Sequence, residues 1–131
     1  MPTTLKDMVA AANATVPAIT PEDAQQLIEQ GKALVIDVRD APEVEASGLI
    51  EGAVHISRGM LEFRADPASP FHDERLGPDK TVIVYCASGG RSALAGKALK
   101  DLGYQDVRNL GGFKDWAESG RAVEKPTSSG T

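Results

Sequence analysis

Cys86 is the sole cysteine of the chain. It ends an apolar run, Val82-Ile83-Val84-Tyr85, and is followed directly by Ala87-Ser88-Gly89-Gly90-Arg91-Ser92, where helical spacing begins. This order predicts a thiol at a strand-to-helix turn. At such a junction the N–H groups of a glycine-rich loop and of the first helical turn converge on one point and favour negative charge there. A thiolate is such a charge. Lowering a thiol pKa from about 8.5 toward neutrality makes the sulfur nucleophilic and able to hold a covalent adduct. Unpaired cysteines also serve as small core hydrophobes, but those lie inside an apolar stripe. Cys86 instead stands where the strand stops and small residues begin, so its sulfur is expected to be ionised and open to solvent.

Ala87, Ser88, Gly89 and Gly90 carry little side-chain bulk, which lets the backbone curl tightly and bring its amides close to a ligand. Neither common phosphate loop fits: no Gly-Lys-Ser/Thr follows, and Gly89 and Gly90 are adjacent rather than alternating. Arg91 is a cation near the positive end of a helix dipole, a mild misfit. It makes sense there if it faces an anion, either substrate oxygens or the Cys86 thiolate. Ser92 is read first as the helix cap, with donation to a bound group as the alternative. Asp37, Arg39 and Glu43 follow a second apolar run and are expected to form one structural ion-pair network at the sheet edge. His55 and His72 are far from Cys86 in sequence, which leaves a Cys-His pair open. One cysteine and two scattered histidines have no metal-site spacing, and no cofactor is expected. Phe113 and Trp116 are three apart and read as core.

The elements that must position these residues can be traced along the chain. Leu5 to Ala14 has the spacing of a short amphipathic helix. Ala18-Ile19-Thr20 suggests an edge strand. Thr20 as cap, Pro21 at the first helical position and Gly31 beyond the end bracket a helix to Gln30. Ala33 to Ile36 reads as a strand buried on both faces and ending at Asp37. A polar stretch, Asp40 to Gly48, has room for one short helix. Ala53 to Ile56 is a further strand, Met60 to Ala65 one or two helical turns, and Pro67 to Pro78 a proline-rich loop. Thr81 to Tyr85 is the strand delivering Cys86, and Ser92 to Leu102 the helix after it. Val107 to Leu110 and Gly112 to Glu118 form a last strand and helix. Strands alternating with helices imply an α/β domain with a mainly parallel sheet, flanked by helices on both faces, that binds ligands beyond the carboxyl ends of its strands. Residues 1–15 form a helical extension, 16–124 the domain, and 125–131, without periodicity, a disordered tail.

The 131 residues suffice for one core without metal or disulfide support. With 41% hydrophobic and 25% charged residues the composition is that of a globular chain. The net charge of −5 argues against a nucleic-acid surface and repels small anions at long range, so an anionic substrate must be attracted locally. No run reaches membrane-span length, and Met1 to Ala18 lacks the pattern of a secretory signal. The cytoplasm, where a reactive thiol stays reduced, is the expected location.

Three blocks together resemble the rhodanese-like sulfurtransferase family, over about Ile19 to Glu124. Val35-Ile36-Asp37-Val38-Arg39 with Glu43, followed by Gly48-Leu49-Ile50-Glu51-Gly52-Ala53 with Ile56, is similar to the family's first signature. Val84 to Ser92 resembles its active-site loop, and Asn109-Leu110-Gly111-Gly112-Phe113 with Trp116 its closing motif. Leu49 and Val44 depart from the histidine and aromatic residue usual at those places. The resemblance implies a Cys86 thiolate that takes sulfane sulfur from a donor such as thiosulfate, releases sulfite, and passes the sulfur from a persulfide to cyanide or a thiol. It implies that amides from Ala87 to Arg91 cradle the persulfide, with Arg91 and Ser88 holding the donor's oxyanion. A carrier or sensor delivering sulfur to a protein partner uses the same persulfide and stands as the alternative. A phosphatase or arsenate reductase with the same cysteine-arginine loop is disfavoured, because in family terms those have five residues between the two and here there are four.

Overall fold

A computed structural model describes residues 2–125. Residues 126–131, which hold nearly all of the expected disordered tail, lie outside the described residues. In order the elements are α1 (Leu5–Thr15), α2 (Pro21–Glu29), β1 (Ala33–Asp37), α3 (Ala41–Ser47), β2 (Leu49–Ile50) and β3 (Val54–His55). A short 3-10 turn (Arg58–Met60) leads into α4 (Leu61–Ala65), followed by β4 (Thr81–Cys86), α5 (Gly90–Asp101), β5 (Asp106–Gly112), α6 (Phe113–Glu118) and β6 (Val123–Glu124). The central sheet has the order β3-β1-β4-β5, with every pairing parallel. Parallel neighbours put the last residues of β1, β3 and β4 at one edge: Asp37 pairs with His55 and with Tyr85, the residue before Cys86.

The two-residue period of β4 divides the core. Val82, Val84 and Cys86 face one side, packing with Val16, Leu61, Ala95 and Leu99 from α1's end, α4 and α5. Ile83 and Tyr85 face the other, against Ala24 of α2 and Phe113 and Trp116 of α6. Both faces of the sheet are therefore covered by helices, as an apolar run such as Val82 to Val84 requires. Each fully buried aliphatic side chain, Leu99 or Ile83 for example, contributes about 2 kcal/mol to this arrangement. Val44 and Leu49, where an aromatic residue and a histidine were usual, are both buried in the core.

The helix starts follow from their caps. Thr4 accepts from the Asp7 amide at 3.1 Å while the Asp7 carboxylate accepts from the Thr4 amide at 3.2 Å, a reciprocal pair that opens α1. Thr20 accepts from the Asp23 amide at 3.1 Å ahead of Pro21. Three local expectations differ from the structure. Ala18 makes only an isolated bridge to Asn109 in place of an edge strand, and α2 starts three residues later at Pro21. The antiparallel β2–β6 pair is an unanticipated element, two residues long on each side and too short to leave a periodic signal. Helix α5 begins at Gly90, two residues before the expected Ser92.

Candidate active site

Cys86 is the last residue of β4, an inner strand of the sheet, and its side chain faces α5. The loop after it turns back so that main-chain donors meet the sulfur. The Gly89 N–H reaches Sγ at 2.9 Å and the Ser92 N–H at 3.4 Å, and the Ser92 hydroxyl oxygen lies 3.4 Å away. Contrary to the expectation of a thiol open to solvent, Cys86 is fully buried. The reason is geometric: β4 continues to Cys86 itself, so the sulfur lies beneath the loop while Ala87 and Ser88 ride exposed above it. Burial pushes the thiol pKa up. Hydrogen bonds from the Ser92 hydroxyl and amide, and from the Gly89 and Ser88 amides, outweigh that and hold it below the ordinary thiol value.

Two glycines make the curl. Gly89 has φ of +104°, a conformation that side chains rarely adopt, and it immediately precedes the first turn of α5. Gly112, at the end of β5, lies so close to the loop that a Cβ there would be 2.7 Å from the Ala87 carbonyl oxygen. Ser92, expected to cap the helix, is instead inside it, since Gly89 occupies the cap position. Its hydroxyl donates to Asn109 Oδ1 at 2.7 Å.

Asn109 was recognised only as part of a motif, yet it ties the loop together. Its Oδ1 also accepts from the Gly111 amide at 2.9 Å, and its Nδ2 donates to the Gly89 carbonyl at 3.3 Å. A shift of register between β4 and β5 directly after the Val84–Asn109 pair accompanies this placement. The Asn109-to-Gly112 spacing, a polar residue two before a glycine pair, was the signal available in sequence.

Arg91 faces an anion, but it is an internal one. Nη1 and Nη2 donate to the two carboxylate oxygens of Glu43 at 2.6 and 2.9 Å, a fork-on-fork pair joining the first turns of α3 and α5. Arg91 pulls the Glu43 carboxyl down to about 2, with the hydrogen bonds as the main cause. The expected single network of Asp37, Arg39 and Glu43 is therefore split in two. Glu43 belongs to the loop. Asp37 and Arg39 form their own pair, 2.8 Å apart with side chains 0% and 4% exposed. Arg39 spends its remaining donors on Ser47 Oγ (2.8 Å) and the Gly48 carbonyl (2.7 Å), and its guanidinium lies 4.3 Å from the Phe113 ring centre. Such a buried, fully satisfied pair pins the α3 segment against the sheet. Tyr85 completes the pinning by accepting the Ile50 amide at 2.9 Å, and burial is the main reason its hydroxyl titrates well above the ordinary range.

The histidines are engaged elsewhere. His55 Nε2–H donates to the Arg39 carbonyl at 2.7 Å and His72 Nε2–H to the Leu76 carbonyl at 3.0 Å. Among the described residues no group of three or more His, Cys, Asp or Glu is arranged to hold a metal ion, and no helix is long and apolar enough to cross a membrane. Phe113 and Trp116 are core residues, with Phe113 stacked on Tyr85 at 6.0 Å.

The chain is 40% identical over 102 residues to a thiosulfate sulfurtransferase, GlpE, of Pseudomonas fluorescens, covering 75% of this chain and 82% of that protein. It is 32% identical over 104 residues to a putative sulfur carrier protein, YrkF, of Bacillus subtilis, covering 78% of this chain but only 51% of that longer protein. Among solved structures, a Rhodopseudomonas palustris protein of unknown function, described as a possible tyrosine phosphatase, is 39% identical and superposes with a TM-score of 0.85 over 95% of this chain and 99% of its own. The names of GlpE and YrkF both refer to sulfur. The rhodanese-like domain model matches residues 20–119, and the chain belongs to that family.

Proposed function

We propose that the protein is a sulfurtransferase in which Cys86 carries the sulfur as a persulfide. The Cys86 thiolate attacks the outer sulfur of a donor such as thiosulfate. A new Sγ–S bond forms, the donor's S–S bond breaks, and sulfite leaves with the electron pair. Attack by cyanide or a thiol on the terminal sulfur then returns the thiolate. The observation that carries this reading is the set of N–H groups from Gly89 and Ser92 directed at a sulfur of lowered pKa. Amides from Ala87 to Arg91 offer the same service to the terminal sulfur of a persulfide, in a site from which water is excluded. Arg91 and Ser88 hold the oxyanion end of the donor. Because the sulfur is buried, the donor reaches it only when the exposed Ala87-Ser88 segment or the Arg91–Glu43 pair gives way.

The unit that does this is residues 16–124, with 1–15 as an extension whose helix packs on α5. The cytoplasm suits a thiol that must stay reduced. A carrier role, handing sulfur to a protein partner, is the second reading, and the likeness to the putative sulfur carrier of B. subtilis favours keeping it. Steady-state thiocyanate formation from thiosulfate and cyanide tests the two. Sustained turnover supports the enzyme. A single equivalent of persulfide, discharged only by a partner protein, supports the carrier. The phosphatase suggestion attached to the R. palustris protein has less support, since four residues separate Cys86 from Arg91, where in family terms the phosphatases have five.

A further inference from the structure

Arg39 and Arg91, the arginines that follow β1 and β4, are already committed. Arg39 is spent on Asp37, Ser47 and Gly48. Arg91, the one cation between Cys86 and Ser92, has both terminal nitrogens on Glu43. The Arg91–Glu43 pair is more than a third exposed on both sides, so solvent and incoming solutes can compete for it. Bidentate geometry gives the pair some structural worth even at this exposure, and it also leaves the guanidinium fork fully occupied by an internal carboxylate 48 residues away in sequence. Asp40 lies close enough to Arg91 to reinforce its positive charge, as does Cys86 when ionised.

We infer that Glu43 sets donor specificity by charge. Its carboxylate occupies the guanidinium fork that the oxyanion end of a dianionic donor needs, and so disfavours thiosulfate relative to sulfane-sulfur donors of lower charge. An arriving dianion must displace a carboxylate and meets Asp40 and the thiolate beside it. A donor with a single charge faces less of that repulsion and depends less on Arg91. The inference rests on the sulfur-transfer reading and names the substrate class that site favours.

Thiosulfate and methanethiosulfonate provide the test, since both deliver an outer sulfur but the second replaces one charged oxygen by a methyl group. With methanethiosulfonate the thiolate takes the outer sulfur and methanesulfinate leaves with the electron pair. In Glu43→Gln, which keeps an oxygen to accept from Arg91, the KM for thiosulfate is expected to fall about tenfold, and that for methanethiosulfonate only about threefold. In Glu43→Asp, which keeps the charge, the ratio of the two kcat/KM values stays near that of the unaltered protein. Glu43→Ala, judged by the same ratio, serves where the Gln variant does not fold. A thiosulfate KM that is unchanged or raised in the neutral variants, with the protein still persulfidated, overturns the inference and leaves Glu43 as a positioning residue for Arg91. If the unaltered protein gains no sulfur from either donor, the sulfur-transfer reading falls first.

Discussion

The Ser92 hydroxyl is 2.7 Å from Asn109 Oδ1 and donates to it. The direction is fixed because Oδ1 also accepts from the Gly111 amide while Nδ2 donates to the Gly89 carbonyl. A hydroxyl has one proton. While that proton is on Asn109, the 3.4 Å contact between Ser92 Oγ and Cys86 Sγ can only be the thiol donating to oxygen. When the sulfur ionises, the hydroxyl must turn from Asn109 to Sγ to become a donor.

Opposite shifts follow from this competition. Ser92→Ala removes a donor and moves the midpoint of Cys86 alkylation to higher pH. Asn109→Ala frees the hydroxyl for the sulfur and moves it to lower pH. Iodoacetamide rates measured across pH report both. Shifts of the same sign in the two variants would show that Ser92 does not arbitrate between the two acceptors.

In the unaltered protein the lowered Cys86 pKa has a definite sign. Reactivity requires the thiolate, so alkylation rises with pH and reaches half its plateau below the midpoint of an ordinary free thiol. Since hydrogen bonds from Ser92, Gly89 and Ser88 cause the shift, high salt leaves the midpoint nearly unmoved. A midpoint at or above that of free cysteine would mean that burial wins.

Gly112→Ala forces a Cβ to within 2.7 Å of the Ala87 carbonyl, a backbone atom that can move only with the loop. The expected cost is about 1–3 kcal/mol in a urea titration, typical of overpacking. Sulfur transfer drops further than stability does, on the order of tenfold or more, because the Gly89 amide leaves its 2.9 Å contact with the sulfur.

Asp37→Ala leaves the Arg39 guanidinium, 4% exposed, without its counter-ion. The loss is about 3–5 kcal/mol of stability. The alkylation midpoint of Cys86 in the folded fraction stays where it was, since no bond from this pair reaches the loop. A shifted midpoint would make the pair part of the loop's chemistry.

Much of this was legible before any coordinates. The Ala33 to Ile36 run read as a strand buried on both faces, Thr81 to Tyr85 as the strand delivering Cys86, and the four small residues after it as a turn into a helix. Thr20 with Pro21 fixed the start of α2 to the residue. Sequence order was silent where contacts are long-range. Glu43 was grouped with Asp37 and Arg39 because all three follow the second apolar run, yet its partner is Arg91, and nothing local distinguishes those choices. Ser92 looked like a cap because serine usually is one, but Gly89 with positive φ takes that position at a turn this tight. Asn109 sits beside a register shift between two strands, and only its spacing from the Gly111-Gly112 pair hinted at that in sequence. The burial of Cys86 turned on a single residue's extension of β4.

Intact-mass spectrometry after incubation with thiosulfate tests the central claim most directly. The account predicts a gain of one sulfur atom, reversed by cyanide or a thiol and absent in Cys86→Ser. An unchanged mass in the folded, reduced protein with thiosulfate and methanethiosulfonate alike, or a gain that persists in Cys86→Ser, would contradict it.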